Sequence, residues 1–226
     1  MNNPAPPPAA AKRPVGPDKT PANSVFINCP YDGAFQSTFD TIVFTVLACG
    51  LYPRCAIESR ATSVSRMDRI AQALRTSRYS VHDLSRCKGE RDTNLARMNM
   101  PLELGMALEQ NFVAHHEWTV LAPRKHRYDQ FISDLAGFDL PTYDERPESV
   151  ISPLLAWFGS MPELDVNPDL HPASVALVLP EFRKELDSLR DTAGWESNLP
   201  WQRIVALGWR IVHSRGLLGD APAAVI

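Results

Sequence analysis

Two acidic residues in one stretch of this chain have the types and spacing for joint chemistry. Asp83 sits at the end of the mostly apolar run Tyr79–Leu84 (YSVHDL), and Glu103 lies beyond a polar loop, in Asn99–Leu108 (NMPLELGMAL). An acid at the end of a strand projects into the space beyond it. An acid in the first turn of a helix is stabilised by the unpaired N–H groups there. The pattern therefore puts two carboxylates on one rim, joined by a flexible loop. Each also has a structural explanation: Asp83 can cap the loop, and Glu103 can simply favour a helix start. Gly105 adds weight to the chemical one. A glycine inside a helix costs about 1 kcal/mol relative to alanine, which is tolerable where another group must come close.

Other candidates surround this pair. The loop after Asp83 carries Arg86, Lys88, Arg91 and Arg97, which suit a phosphate-bearing substrate, but also Glu90 and Asp92, as a solvated loop would. Asn99 stands at the head of the following helix, and Tyr31 and Asp32 follow an earlier strand. Arg124, Lys125, His126 and Arg127 form a basic knot that reads as a solvated loop or an anion contact. His82 points away from Asp83 by strand alternation and reads as a packed histidine. His115 and His116, being adjacent, face opposite ways and make a poor metal site. Cys29, Cys49, Cys55 and Cys87 contain no C-x-x-C pair and read as buried thiols. There is no G-x-G-x-x-G, no phosphate-binding P-loop and no H-E-x-x-H.

The elements that must position these residues alternate between two periods. Ser24–Asn28 is a β-rich run, ended by a turn at Cys29–Gly33. Phe35, Phe39, Ile42, Val43 and Val46 recur at helical spacing, and Gly50 closes that helix. Leu51–Ile57 reads as a second strand, with Pro53 suggesting an edge position or a late start. Met67, Ile70, Ala71 and Leu74 make one face of a second helix. Tyr79–Leu84 is the third strand, Pro101 suits the first turn of a third helix, and Trp118–Ala122 is the fourth strand. A short helix over Tyr128–Leu135, a fifth strand over Leu140–Tyr143 and a helix over Glu148–Phe158 complete the unit. Strands alternating with helices imply right-handed crossovers and a mainly parallel sheet. The expected architecture is α/β: a doubly wound sheet of about five strands, flavodoxin-like in order. The loops at Cys29–Gly33, Glu58–Ser65, Ser85–Arg97 and Pro123–Arg127 would then share one rim.

Residues 1–22 hold seven of the 20 prolines and read as a disordered tail. Residues 23–160 are the α/β domain, 161–172 a proline-bearing linker, and 173–226 a C-terminal helical region. The last helix, with Trp201, Ile204, Leu207 and Ile211, is too apolar to stand in water. It should pack on the sheet domain or build a homo-oligomer. A net charge of −3 gives no general attraction to nucleic acid or anionic membrane. With no apolar run of membrane-spanning length and no secretory pattern, the expectation is a cytoplasmic protein.

The strand ending in Asp83, followed by a helix with E-L-G-x-A, resembles the nucleoside 2-deoxyribosyltransferases. Their first strand also runs into a loop like Cys29-Pro30-Tyr31. The same fold and site recur in bacterial TIR-like domains, some of which cleave NAD with a glutamate in a similar place. The resemblance covers roughly residues 24–135. It implies attack at an N-glycosidic carbon, with Glu103 as nucleophile or electrostatic stabiliser and Asp83 holding the base or sugar. Such cleavage passes through an oxocarbenium-like state that a carboxylate stabilises. Tyr31, Asp32, Asn99 and Arg86 would contact the substrate. The implied activity is hydrolysis of a nucleotide, most concretely NAD as substrate rather than cofactor, with bacterial defence as the setting. The alternatives are deoxyribosyl transfer, and a nucleotide-binding or assembly module without turnover.

Overall fold

Ser24–Asn28 forms strand β1, and all five of its residues are buried. Burial on both faces is the mark of a central parallel strand. In the computed structural model, which describes residues 16–59, 62–87, 98–126, 132–144, 146–192, 194–195 and 198–219, β1 is flanked on both sides. Its neighbours are β2 (Tyr52–Cys55) and β3 (Tyr79–Asp83); β4 (Glu117–Pro123) and β5 (Thr142–Tyr143) follow. The order is β2-β1-β3-β4-β5, with every pairing parallel. This is the flavodoxin-like sheet expected from the alternating periods, with Pro53 on edge strand β2.

Helices cover both faces. α2 (Arg66–Arg75) and α3 (Asn99–Ala114) lie on one, over Phe26 of β1 and Val120 of β4. α1 (Gln36–Ala48) and α4 (Ile151–Gly159) lie on the other, over Val25, Ile27, Val81 and Leu121. The buried face of α2 is Ile70, Ala73 and Leu74, which corrects the expected face. Ser65 caps the helix by accepting the Asp68 N–H, so Met67 falls in the first turn and stays 42% exposed. The expected helix over Tyr128–Leu135 lies partly outside the described residues; what is described there is one 3-10 turn, Ser133–Leu135.

α1 is buried on every side from Thr38 to Ala48 because a further layer covers it. That layer is α5 (Pro172–Thr192) and α6 (Trp201–Ser214), whose Val175, Leu179, Phe182, Ile204 and Ile211 share one core with α1. Thr41 and Thr45 satisfy their hydroxyls by donating to carbonyls four residues back. Arg183 clamps α5 down, donating to the Ser37 carbonyl, the Thr41 hydroxyl and Glu148. Trp201 donates its indole N–H to the Pro53 carbonyl at 3.1 Å, which blocks the open edge of β2. Residues 161–172, expected as a linker, are packed: Leu170 is in the core, and Glu163 pairs with Arg78 and Tyr79. Trp201, Ile204, Leu207 and Ile211, the stripe expected to need cover, are buried within the chain, Trp201 and Ile211 being 2% exposed.

No helix among the described residues is long and apolar enough to cross a membrane.

Candidate functional site at the carboxyl edge of the sheet

The chain leaves β1 for α1 on one face of the sheet and leaves β3 for α3 on the other. Adjacent strands whose connections diverge in this way open a crevice beyond their carboxyl ends. Asp83 and Glu103 both stand at this edge, but from opposite faces. Alternation along β3 turns Asp83 to the α1 side with Tyr79 and Val81. Its carboxylate accepts the Tyr143 hydroxyl at 2.6 Å, the Ser85 N–H at 2.9 Å and the Ser85 hydroxyl. It is fully buried. Burial pushes its pKa up to about 6, against the pull of those three donors. Asp83 therefore both starts the loop and ties β3 to edge strand β5.

Glu103 is the fifth residue of α3, a turn further along than expected, and comes from the α2–α3 side. It is 4% exposed, and burial pushes its pKa up to about 7. The opposing influence is the Arg66 guanidinium, 4.0 Å away at the start of α2. The two carboxylates act together on Cys29, just beyond β1. Its thiol is raised well above the usual range by burial first, and then by Asp83, Cys55, Glu103 and Asp32. Such a thiol is protonated and chemically quiet.

A buried polar relay sets the position of α3. His116 Nδ1 lies 2.8 Å from the Ser77 carbonyl, which only accepts, so that nitrogen carries the proton. His116 Nε2 then accepts the Ser80 hydroxyl at 2.7 Å, and Ser80 accepts His82 Nε2–H at 2.8 Å. That leaves His82 Nδ1 to accept from Asn28 Nδ2 at 2.9 Å, whose second hydrogen goes to the Met100 carbonyl at 3.0 Å. Every donor finds an acceptor only if both histidines are neutral. Their burial lowers both pKa values, that of His82 to about 3. The relay runs through β1 and β3 to the first turn of α3, three residues before Glu103. The histidines are thus packed, as expected of His82.

The remaining candidates divide. Asp32 accepts the Phe35 N–H at 3.1 Å and pairs with Arg86 at 3.2 Å, so this ion pair bridges the loops after β1 and β3. Tyr31 donates to the Ile27 carbonyl at 3.0 Å, accepts the Ala56 N–H at 3.2 Å and packs edge-on against Phe39. Its hydroxyl latches β1 to β2. Asn99 is exposed at the head of α3. Lys88, Glu90, Arg91, Asp92, Arg97 and Arg127 lie outside the described residues.

A cavity of about 600 Å³ along this edge lies on the α1 side. Phe35 and Thr38 at the start of α1, Ser85 and Arg86 after β3, Arg124 after β4 and Tyr143 of β5 are among its walls. Glu103 does not line it. Sequence reasoning missed Tyr143, Ser85, Arg66 and Thr38 as site residues. Tyr143 closes on Asp83 across 60 positions, a contact with no local signature. Among the described residues no group of three or more His, Cys, Asp or Glu could hold a metal ion. No protein-family model matches the chain, and no curated protein matches it.

Proposed function

We propose that this protein is a nucleotide N-glycosidase in which Glu103 is the catalytic carboxylate, with NAD the first substrate to try. One observation carries the reading: an almost fully buried glutamate at the switch point of the sheet, with a pKa near 7 and a single guanidinium 4.0 Å away. Burying a carboxylate with so little compensation destabilises the fold. A pKa matched to neutral pH is what a base or nucleophile needs. In the proposed reaction the bond from C1′ to the base nitrogen breaks and the base keeps the electron pair. Ionised Glu103 stabilises the positive charge on C1′, or bonds to it. Water then attacks C1′ and releases its proton to Glu103 or to solvent. A nicotinamide base leaves neutral and needs no proton, so no separate acid is required for NAD.

The test is to incubate the protein with NAD and with a panel of nucleosides, with and without acceptor bases, and to follow free base by chromatography. Glu103→Gln keeps the shape and removes the charge, and should lower turnover about 10³-fold or more with little change in binding. The rate should rise with pH through about 7 as Glu103 ionises. Glu109→Gln, on the exposed side of the same helix, should leave the rate unchanged. Equal turnover by wild type and Glu103→Gln removes Glu103 from the mechanism.

A second reading, a nucleotide-binding module without turnover, is favoured by the sealed state of Asp83. Its oxygens are taken by Tyr143 and Ser85, which leaves it poorly placed to hold a base or sugar. Absence of released base from every compound that binds would select this reading. Base released only when an acceptor base is present would point to transfer.

A further inference from the structure

We infer that the outer side of α3 is a self-association surface, through which two copies of this chain pack α3 against α3, antiparallel, about a two-fold axis. The inference does not require Glu103 to be catalytic, because that residue lies on the buried side of the same helix.

Met100, Glu103, Leu104 and Ala107 are the residues that α3 buries in its own chain. The opposite side is just as regular. Met98, at the helix cap, and then Leu102, Gly105, Glu109 and Phe112 are all exposed, at spacings that alternate between four and three. That is the spacing of a coiled-coil seam, the line of side chains that one helix presents to another. Leu102 is 55% exposed and Phe112 86%, and Val113 adds a further exposed apolar group beside Phe112. Single apolar side chains on a surface need no explanation, whereas a line of them along one helix marks a contact face. On the neighbouring α2, Met67, Ala71 and Arg75 follow at intervals of four. A groove of about 410 Å³ runs between the two helices, with Ala71, Arg75, Leu102, Gly105 and Glu109 among its walls.

A second copy is the occupant this face fits, because the seam is complementary to itself. Two such helices, antiparallel and centred on Ala107 near the middle of α3, bring Leu102 of one against Phe112 of the other. The same register sets Gly105 of one against Glu109 of the other, and the two-fold axis makes each contact twice. A glycine costs a single helix about 1 kcal/mol but admits a close neighbour. No described atom stands within 4 Å of the place where a Gly105 Cβ would be, so the Glu109 side chain of the second copy has room there. Beyond Gly105 that carboxylate meets Arg75, exposed in the last turn of α2 and lining the same groove. Within its own chain Glu109 accepts a hydrogen bond from Gln110 at 2.8 Å, a neutral donor that leaves the charge in place. A partner of one charge sign would answer either Arg75 or Glu109; a second copy answers both. Leu102 and Phe112 supply the apolar contact, and the two charge pairs fix register and direction.

The experiment is sedimentation velocity on the whole chain, loaded at about 1 to 300 µM. The mass should rise from 25.2 kDa toward twice that value as concentration increases. Phe112→Glu should raise the dissociation constant at least about tenfold. Arg75→Glu and Glu109→Arg each set like charges face to face, and each should weaken the dimer by about tenfold as well. The double variant, Arg75→Glu with Glu109→Arg, restores opposite charges and should return to within about threefold of the wild type. All three positions are exposed, so the fold should persist, as circular dichroism will verify. Each copy keeps its own Glu103, so dissociation should not change base release per chain. The inference is overturned if the wild type stays at 25.2 kDa throughout, if Phe112→Glu associates as well as the wild type, or if the double variant is no better than either single change. None of those results depends on whether the glycosidase reaction occurs.

Discussion

Glu103 and Asp83 are both held above the ordinary carboxylate range, and burial is the main cause for each. They differ in compensation. Asp83 has three hydrogen-bond donors, whereas Glu103 has one guanidinium at the limit of an ion pair. Linkage turns this into a stability prediction. A group whose pKa is raised in the folded state binds its proton more tightly there than in the unfolded chain. Its favourable contribution is complete below the unfolded value, near 4.5, and is lost as pH rises through about 7. The wild type should therefore lose stability relative to Glu103→Gln between pH 4.5 and 8, by on the order of 3 kcal/mol at most. Urea titrations of both proteins across that range will show it. A difference that stays constant with pH would mean that Glu103 titrates as an ordinary exposed acid.

Two glycines at the scale of helices should respond in opposite ways. Gly105 lies in α3 near Glu103, and a Cβ built there meets nothing within 4 Å. Among the described residues no neighbour requires its small size, so none of them makes the close approach suggested by a glycine inside a helix. Gly105→Ala should stabilise the protein by about 1 kcal/mol. Gly208 lies where α6 crosses α1. A Cβ there would stand 2.5 Å from Leu47 Cδ1 and 3.1 Å from the Phe182 ring. Leu47 and Phe182 are fully buried and have little room to yield. Gly208→Ala should cost about 1–3 kcal/mol through overpacking. Midpoints of urea unfolding at constant slope measure both. A gain at Gly208 would show that the outer layer is looser than the packing implies.

For the molecule as a whole, the outer helices are part of the main core. α1 has an apolar surface on both sides, one for the sheet and one for α5 and α6, so it is stable in water only with both in place. The sheet and the C-terminal helices should therefore unfold together. Three of the five tryptophans, Trp195, Trp201 and Trp209, belong to the C-terminal region, so fluorescence reports mainly on it, while circular dichroism reports on the whole chain. The two signals should give one coincident transition in urea. Two separated midpoints would restore the picture of a distinct helical region on a linker.

Much of this was already determined by local sequence. The alternating periods of Ser24–Asn28, Phe35–Val46 and Tyr79–Leu84 encode a parallel α/β sheet, because strand and helix repeats differ and each must bury its own apolar face. Pro53 consigns its strand to an edge, and the apolar stripe of Trp201, Ile204, Leu207 and Ile211 demands cover. Asp83 and Glu103 were recognisable as unusual because a strand end and a helix start are specific places in such a fold. Only the tertiary structure decided what surrounds them. The closure of Tyr143 on Asp83, the placing of Arg66 beside Glu103 and the relay from His116 to Met100 join residues far apart in the chain. So too the choice of α1, rather than another copy of the chain, as cover for the C-terminal helices. Contacts of this kind depend on how twisted strands and layered helices meet in space, and no short-range pattern of residues encodes that distance.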